Sequence, residues 1–223
     1  MRGPGLDLRK SVLGRMAGQP PTSVWTPIDF LDLGSRDAVD QALHRLAASN
    51  EIRRIARGLY DKPTVNRLTG KPTAPDPRRV IDALTRRDQA RMLVDGMTAA
   101  NDLGLTDAVP ARVTVLTDAR LRPIKLGNLV IAFQPAAPSR LYWAGRPAMR
   151  VVQALYWLRD MLPADDGRIL RQLASVLADP QHGRAIRDDL RAGLPVLPEW
   201  MQGVVRDLLR RTDAAVSNAM VQG

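Results

Sequence analysis

Residues 34–63 contain the side chains most suited to binding another molecule, because several hydrogen-bond donors lie close to a glycine turn there. Arg53, Arg54 and Arg57 lie within the five residues before Gly58. Guanidinium groups form planar, bidentate hydrogen bonds with phosphate and with guanine, so arginines at a turn suit contacts with a nucleic acid. The competing interpretation is a hydrated hairpin that binds nothing.

The segment before these arginines is predicted to form a helix with one apolar and one polar face. Ser35 is placed to cap the helix, and Val39, Leu43, Leu46 and Ala47 recur at helical spacing. The opposite face carries polar side chains that can read base edges or contact phosphates. The candidate DNA-binding residues of the helix and hairpin are Arg36, Asp37, Gln41, His44, Arg45, Arg53, Arg54 and Arg57.

The neighbouring elements that must position these residues follow a recognisable order. Apolar spacing predicts a helix over 6–17, and a short strand is expected over 23–26. Thr26 as the N-cap and Pro27 at the first helical position predict a second helix that stops at Gly34. The capped helix follows, and two short strands flank the turn at Arg57-Gly58. Helix, strand, helix, helix and hairpin is the order of a winged helix-turn-helix, which we predict for residues 1–62.

The rest of the chain is predicted to form a second domain. Prolines concentrated in residues 63–77 exclude a helix or a central strand and indicate a linker. Residues 78–223 alternate helices with short strands, include a hairpin that turns at Gly127-Asn128, and end in several helices. The predicted fold class is therefore α+β: a winged helix-turn-helix, then an α+β domain with a small sheet and a helical tail.

Composition limits the kind of protein this is. The chain of 223 residues carries a formal net charge of +10, and 29 of its 33 basic residues are arginine. This balance suits a nucleic-acid partner, although a GC-rich genome also favours arginine codons. There is no cysteine and no run of eighteen apolar residues, so we expect a cytoplasmic protein with no membrane contact.

Enzyme and metal signatures are weak. Gly70-Lys71 lacks the earlier glycine and the following Ser/Thr of a phosphate-binding loop. His44 and His182 have no histidine or cysteine partner at metal-ligand spacing. We therefore expect no catalytic residue, no metal and no cofactor. The aromatic side chains around Trp143 and Trp157 are expected to fill the core.

The N-terminal run "AVDQALHRLAASNEIRRIARGLYDKP" resembles the DNA-binding domain of the AbiEi-type antitoxins of bacterial type IV toxin–antitoxin systems. "AANDLGLTD" and "GNLVIAF" extend the resemblance into the second domain. The resemblance implies a winged helix that represses its own operon and a C-terminal domain that counters a nucleotidyltransferase-like toxin. The matching positions are Leu43, Arg45 and Leu46 on the helix and Arg53, Arg54, Arg57, Gly58 and Tyr60 on the hairpin.

The function expected from the sequence is therefore DNA-binding autorepression of a toxin–antitoxin operon. The expected partners are double-stranded promoter DNA and a nucleotidyltransferase-like toxin. Three alternatives remain open: a winged-helix interaction protein, an ordinary transcription regulator without a toxin, and a nucleotide-processing enzyme.

Overall fold

The computed structural model describes residues 4–68, 70–108 and 110–221 and contains two compact units. The first unit comprises Met1–Ala90 and Leu121–Ile131, and the second comprises Arg91–Arg120 and Ala132–Gly223. The fold is mixed α+β with small sheets and a helical C-terminal tail, as the sequence predicts.

The first unit has the predicted order of elements around a three-stranded sheet. The strand order is β1-β3-β2, and both pairings are antiparallel. The elements are α1 (Pro4–Ala17), β1 (Val24–Trp25), a 3₁₀ helix (Pro27–Phe30), α2 (Arg36–Ala48), β2 (Arg53–Ala56), β3 (Leu59–Asp61) and α3 (Pro77–Asp88).

Helix α2 is held by its cap and by its apolar stripe. The Ser35 hydroxyl accepts a hydrogen bond from the backbone N–H of Ala38 at 3.3 Å, as expected for an N-cap. Each fully buried Leu or Phe contributes about 1.5–3 kcal/mol to folding. The stripe packs into a core formed by Val12, Met16, Phe30, Val39, Leu43, Leu46, Ile52 and Tyr60.

The element before α2 is shorter than predicted. The sequence predicts a helix over residues 26–34, whereas the structure has a 3₁₀ helix over Pro27–Phe30. The Asp29 carboxylate accepts hydrogen bonds from the Thr26 backbone N–H at 2.7 Å and from its hydroxyl at 3.0 Å. These bonds form a capping box, which stabilises the start of the turn. Leu31 is 43% exposed, so no apolar stripe continues the turn into an α-helix.

Helix α3 belongs to the first unit. The Asp76 carboxylate caps it by accepting from the Arg78 backbone N–H at 2.9 Å, and its apolar face is buried. The helix packs against β1 and β3. The Arg86 guanidinium donates to the backbone carbonyl of Val24 at 3.3 Å, and that of Arg87 donates to the carbonyl of Arg57 at 2.6 Å.

The first unit therefore includes α3, which follows the predicted boundary at residue 62, and also residues Leu121–Ile131. The described part of the predicted linker, residues 63–77, lies outside helices and named strands until α3 begins at Pro77, as its prolines require. An isolated bridge joins Val65 and Pro72 within it. Separate folding of residues 1–62 stays a prediction.

The remaining strands form a sheet of order β4-β5-β7-β6. Gly127 has φ of +65°, and it lies at the predicted hairpin turn between β6 and β7. These strands are β4 (Met92–Val94), β5 (Arg112–Thr117), β6 (Ile124–Leu126) and β7 (Leu129–Pro135); the helices are α4 (Gly96–Asp102), α5 (Met149–Leu158), α6 (Arg168–Leu177), α7 (Gly183–Gly193) and α8 (Glu199–Val221).

Helices α4 and α5 meet at a glycine. A Cβ atom on Gly96 would lie 2.6 Å from the backbone carbonyl oxygen of Gln153, so only glycine permits this approach. No helix in the described part of the chain combines the length and the apolar character needed to cross a membrane.

The aromatic residues of the second unit divide into two groups. Trp143 is only 5% exposed and belongs to the core, as expected. Tyr156 and Trp157 are 46% and 37% exposed, so the expectation that they fill the core is wrong. Helix α5 buries Val151, Val152, Ala154, Leu155 and Leu158, and the two aromatics fall outside that apolar face.

Candidate nucleic-acid interface

A cavity of about 260 Å³ lies between α2 and the β2–β3 hairpin. It brings together four of the eight candidate residues predicted from the sequence, two from the helix and two from the hairpin. The cavity is lined by Pro27, Arg36, Asp40, His44, Arg54, Arg57, Gly58 and Tyr60.

Helical and strand periodicity explain this grouping. Arg36, Asp40 and His44 are spaced by four residues, so they form one row along α2. On the hairpin, Arg54 pairs with Tyr60 across the strands, and the register shifts between Arg54 and Ala56. Such a bulge redirects the side chains beside it.

Arg53 lies on the opposite face of the hairpin from Arg54, because adjacent strand residues point to opposite sides. Its guanidinium donates to both carboxylate oxygens of Asp61, at 2.9 Å from Nε and 2.5 Å from the terminal nitrogen. The Asp61 side chain is 5% exposed. Arg53 therefore neutralises a buried carboxylate, a structural role that the sequence did not indicate.

Arg54 and Arg57 are the unengaged cations of the cavity. Both are exposed, and within the described residues neither guanidinium makes a hydrogen bond or an ion pair. Arg36 instead donates to Asp40 at 2.9 Å, an exposed pair that contributes little to stability. The positive charge available to a ligand therefore comes mainly from the hairpin.

The remaining candidate residues lie on the exposed surface of α2 outside the cavity lining. Gln41 and Arg45 are exposed and share a face of the helix, one turn apart. Asp37 is exposed in the first turn, where a negative charge interacts favourably with the helix dipole.

A family model covers the cavity and much of both units. The matching family is described as a family of unknown function, DUF6088, and the match runs over residues 12–166, more than half of the chain. The chain belongs to this family. No curated protein and no solved structure matches it.

The DUF6088 match includes α2, the hairpin and α3, and ends before α6. Within this family segment, Asp40 and Tyr60 line the cavity although the sequence analysis did not assign them to the site. Asp40 could have been found from its spacing with Arg36 and His44. Tyr60 could have been found from its place opposite Arg54, once the strand register is known.

Tyr60 joins the cavity to the core. It is 6% exposed and belongs to the apolar cluster beneath α2. Burial raises the pKa of its phenol above the ordinary value, so the hydroxyl stays neutral at physiological pH. A neutral hydroxyl can donate a hydrogen bond as well as accept one.

Proposed function

We propose that this chain is a sequence-specific DNA-binding protein of the bacterial cytoplasm that represses its own operon. The observation that carries the proposal is the junction of an exposed polar helix face with a cavity whose hairpin arginines have no partner in the described residues. A helix of this kind fits the major groove, and a basic hairpin beside it contacts the backbone.

The proposal assigns different roles to the helix and the hairpin. Gln41 and Arg45 are placed to read base edges, since glutamine pairs with adenine and arginine with guanine. Arg54 and Arg57 contact phosphates, which position the protein without specifying sequence. Arg36 and His44 line the cavity between α2 and the hairpin. Arg53 supports the hairpin through Asp61.

We further propose that the chain acts as the antitoxin of a type IV toxin–antitoxin system. The support is the resemblance of the helix and hairpin segments to AbiEi-type antitoxins. The second unit, with exposed Tyr156 and Trp157, would carry the function that counters a nucleotidyltransferase-like toxin. The same exposed aromatics favour the alternative function, a protein-interaction module without DNA binding, because such residues are enriched at interfaces.

An electrophoretic mobility assay tests the DNA proposal. The full chain is expected to shift a fragment of its own promoter more strongly than a scrambled fragment of equal length. Affinity is expected to fall as salt rises, since phosphate contacts release counterions. Replacing Gln41 by alanine should cost about 1–3 kcal/mol on the promoter and little on scrambled DNA. Equal affinity for both fragments would remove the repressor function.

A growth assay tests the antitoxin proposal. Coexpression of the full chain with the product of an adjacent nucleotidyltransferase-like gene is expected to restore growth. The toxin should be expressed from an unrelated promoter, so that repression cannot explain the rescue. If growth stays arrested when the full chain is present, the antitoxin proposal fails. The remaining function is then that of a transcription regulator without a toxin partner.

A further inference from the structure

A second basic cleft lies in the first unit, beside β1 and α3. Its volume is about 410 Å³. The described residues that line it carry guanidinium, amide and hydroxyl groups and no carboxylate. They are Arg15, Gln19, Ser23, Val24, Trp25, Arg79 and Arg86.

The three arginines of the cleft differ in how far they are neutralised. Arg15 donates to both carboxylate oxygens of Asp32, at 2.6 and 2.5 Å, and is held in place by that pair. Arg86 is 51% exposed and lies 3.7 Å from Asp29. Arg79 is exposed and makes no hydrogen bond or ion pair within the described residues. Among the described residues that line the cleft, Arg79 is therefore unpaired, whereas Arg15 and Arg86 each lie beside a carboxylate.

Helix α3 connects this cleft to the hairpin. Arg79 and Arg86 are seven residues apart, so they lie on one face of the helix about 10 Å apart along its axis. The next residue, Arg87, donates to the backbone carbonyl of Arg57 in the hairpin turn. Arg87 is itself paired with Asp88, at 2.8 and 2.7 Å, so of these three α3 arginines only Arg79 makes no ion pair within the described residues.

We infer that this cleft binds a phosphate group of the DNA backbone and gives the protein a contact with the duplex beyond α2 and the hairpin. The inference rests on the proposed DNA binding. The described residues that line the cleft bring several hydrogen-bond donors together and include no carboxylate, so the cleft favours an anion. Arg79, which makes no ion pair within the described residues, supplies the positive charge that a phosphate neutralises. Trp25 forms a wall of the cleft and packs on Phe30 with ring centroids 5.3 Å apart.

The test compares the full chain with Arg79→Gln and with the double variant Arg79→Gln/Arg86→Gln, using labelled promoter DNA over a series of salt concentrations. The slope of log affinity against log salt is expected to become shallower by about 1 for the single variant and by up to about 2 for the double. The ratio of promoter to scrambled affinity should stay unchanged. Arg184→Gln is the matched control, because Arg184 is 88% exposed on α7 in the second unit.

The outcomes separate this inference from the proposed function. Promoter binding with an unchanged slope in Arg79→Gln overturns the inference and leaves DNA binding intact. A wild-type chain that binds no DNA overturns both the repressor proposal and a DNA source for the phosphate. A thermal shift assay with inorganic pyrophosphate tests whether the cleft binds a free phosphate compound instead. If pyrophosphate stabilises wild type but not Arg79→Gln, and the salt slope of DNA binding is the same for both proteins, the cleft binds a free phosphate compound. That result overturns the DNA contact.

Discussion

Replacing Arg54 and Arg57 together by glutamine is expected to lower affinity for promoter and scrambled DNA alike, on the order of 30- to 150-fold. Each side chain loses a phosphate contact of about 1–1.5 kcal/mol, which is weaker than a buried charge-assisted bond because both groups are exposed. The salt slope should become shallower by about 2. Fluorescence anisotropy of labelled fragments across a salt series measures both quantities.

The control for this experiment is Arg184→Gln, which removes the charge of an 88% exposed side chain on α7, far along the chain from the hairpin. Its salt slope should equal that of wild type. If the Arg54/Arg57 variant binds DNA with wild-type affinity, the two arginines do not contact DNA and have another role. They lie in and after β2, an edge strand of the sheet, and charges on edge strands oppose aggregation. The hairpin would then be a hydrated one without a ligand.

Replacing Arg53 by methionine is expected to reduce the free energy of unfolding by about 1–3 kcal/mol, because Asp61 would remain buried without its partner. Methionine retains much of the length of the side chain and removes the charge. Urea titration followed by tryptophan fluorescence measures the change, since Trp25 pairs with Tyr60, the residue before Asp61 on β3.

The neighbouring residue provides the matched control for stability. Arg54→Met removes the same charge from the same strand, but Arg54 is exposed and makes no ion pair within the described residues. Its unfolding free energy should stay within about 0.5 kcal/mol of wild type. Equal stability losses in both variants would show that the Arg53–Asp61 pair contributes nothing beyond an exposed charge.

The opposite behaviour expected of Arg53 and Arg54 also has a consequence for mutagenesis. A variant with all three hairpin arginines replaced would mix weaker DNA binding with a weaker fold. Affinity measured on such a variant needs correction for the folded fraction. The Arg54/Arg57 pair isolates binding, and Arg53 alone isolates stability.

Local patterns in the sequence determined most elements of the first unit. The spacing of Val39, Leu43 and Leu46, with Ser35 at the cap, specifies α2 because both signals act within a few turns of one helix. Gly58 adopts φ of +66°, a conformation that suits glycine, at the predicted turn between the strands. Prolines likewise kept the described part of residues 63–76 out of helices and named strands.

Other features were decided only by tertiary structure, since they depend on residues distant in the chain. The partner of Arg53 is set by the register of β2 on β3, which is why one hairpin arginine is structural and its neighbour is exposed. Helix α3 joins the first unit because its buried face packs on β1 and β3, whereas the prolines before it suggested a separate domain. A sequence pattern shows that a face is apolar; the contacts formed on folding decide what covers it.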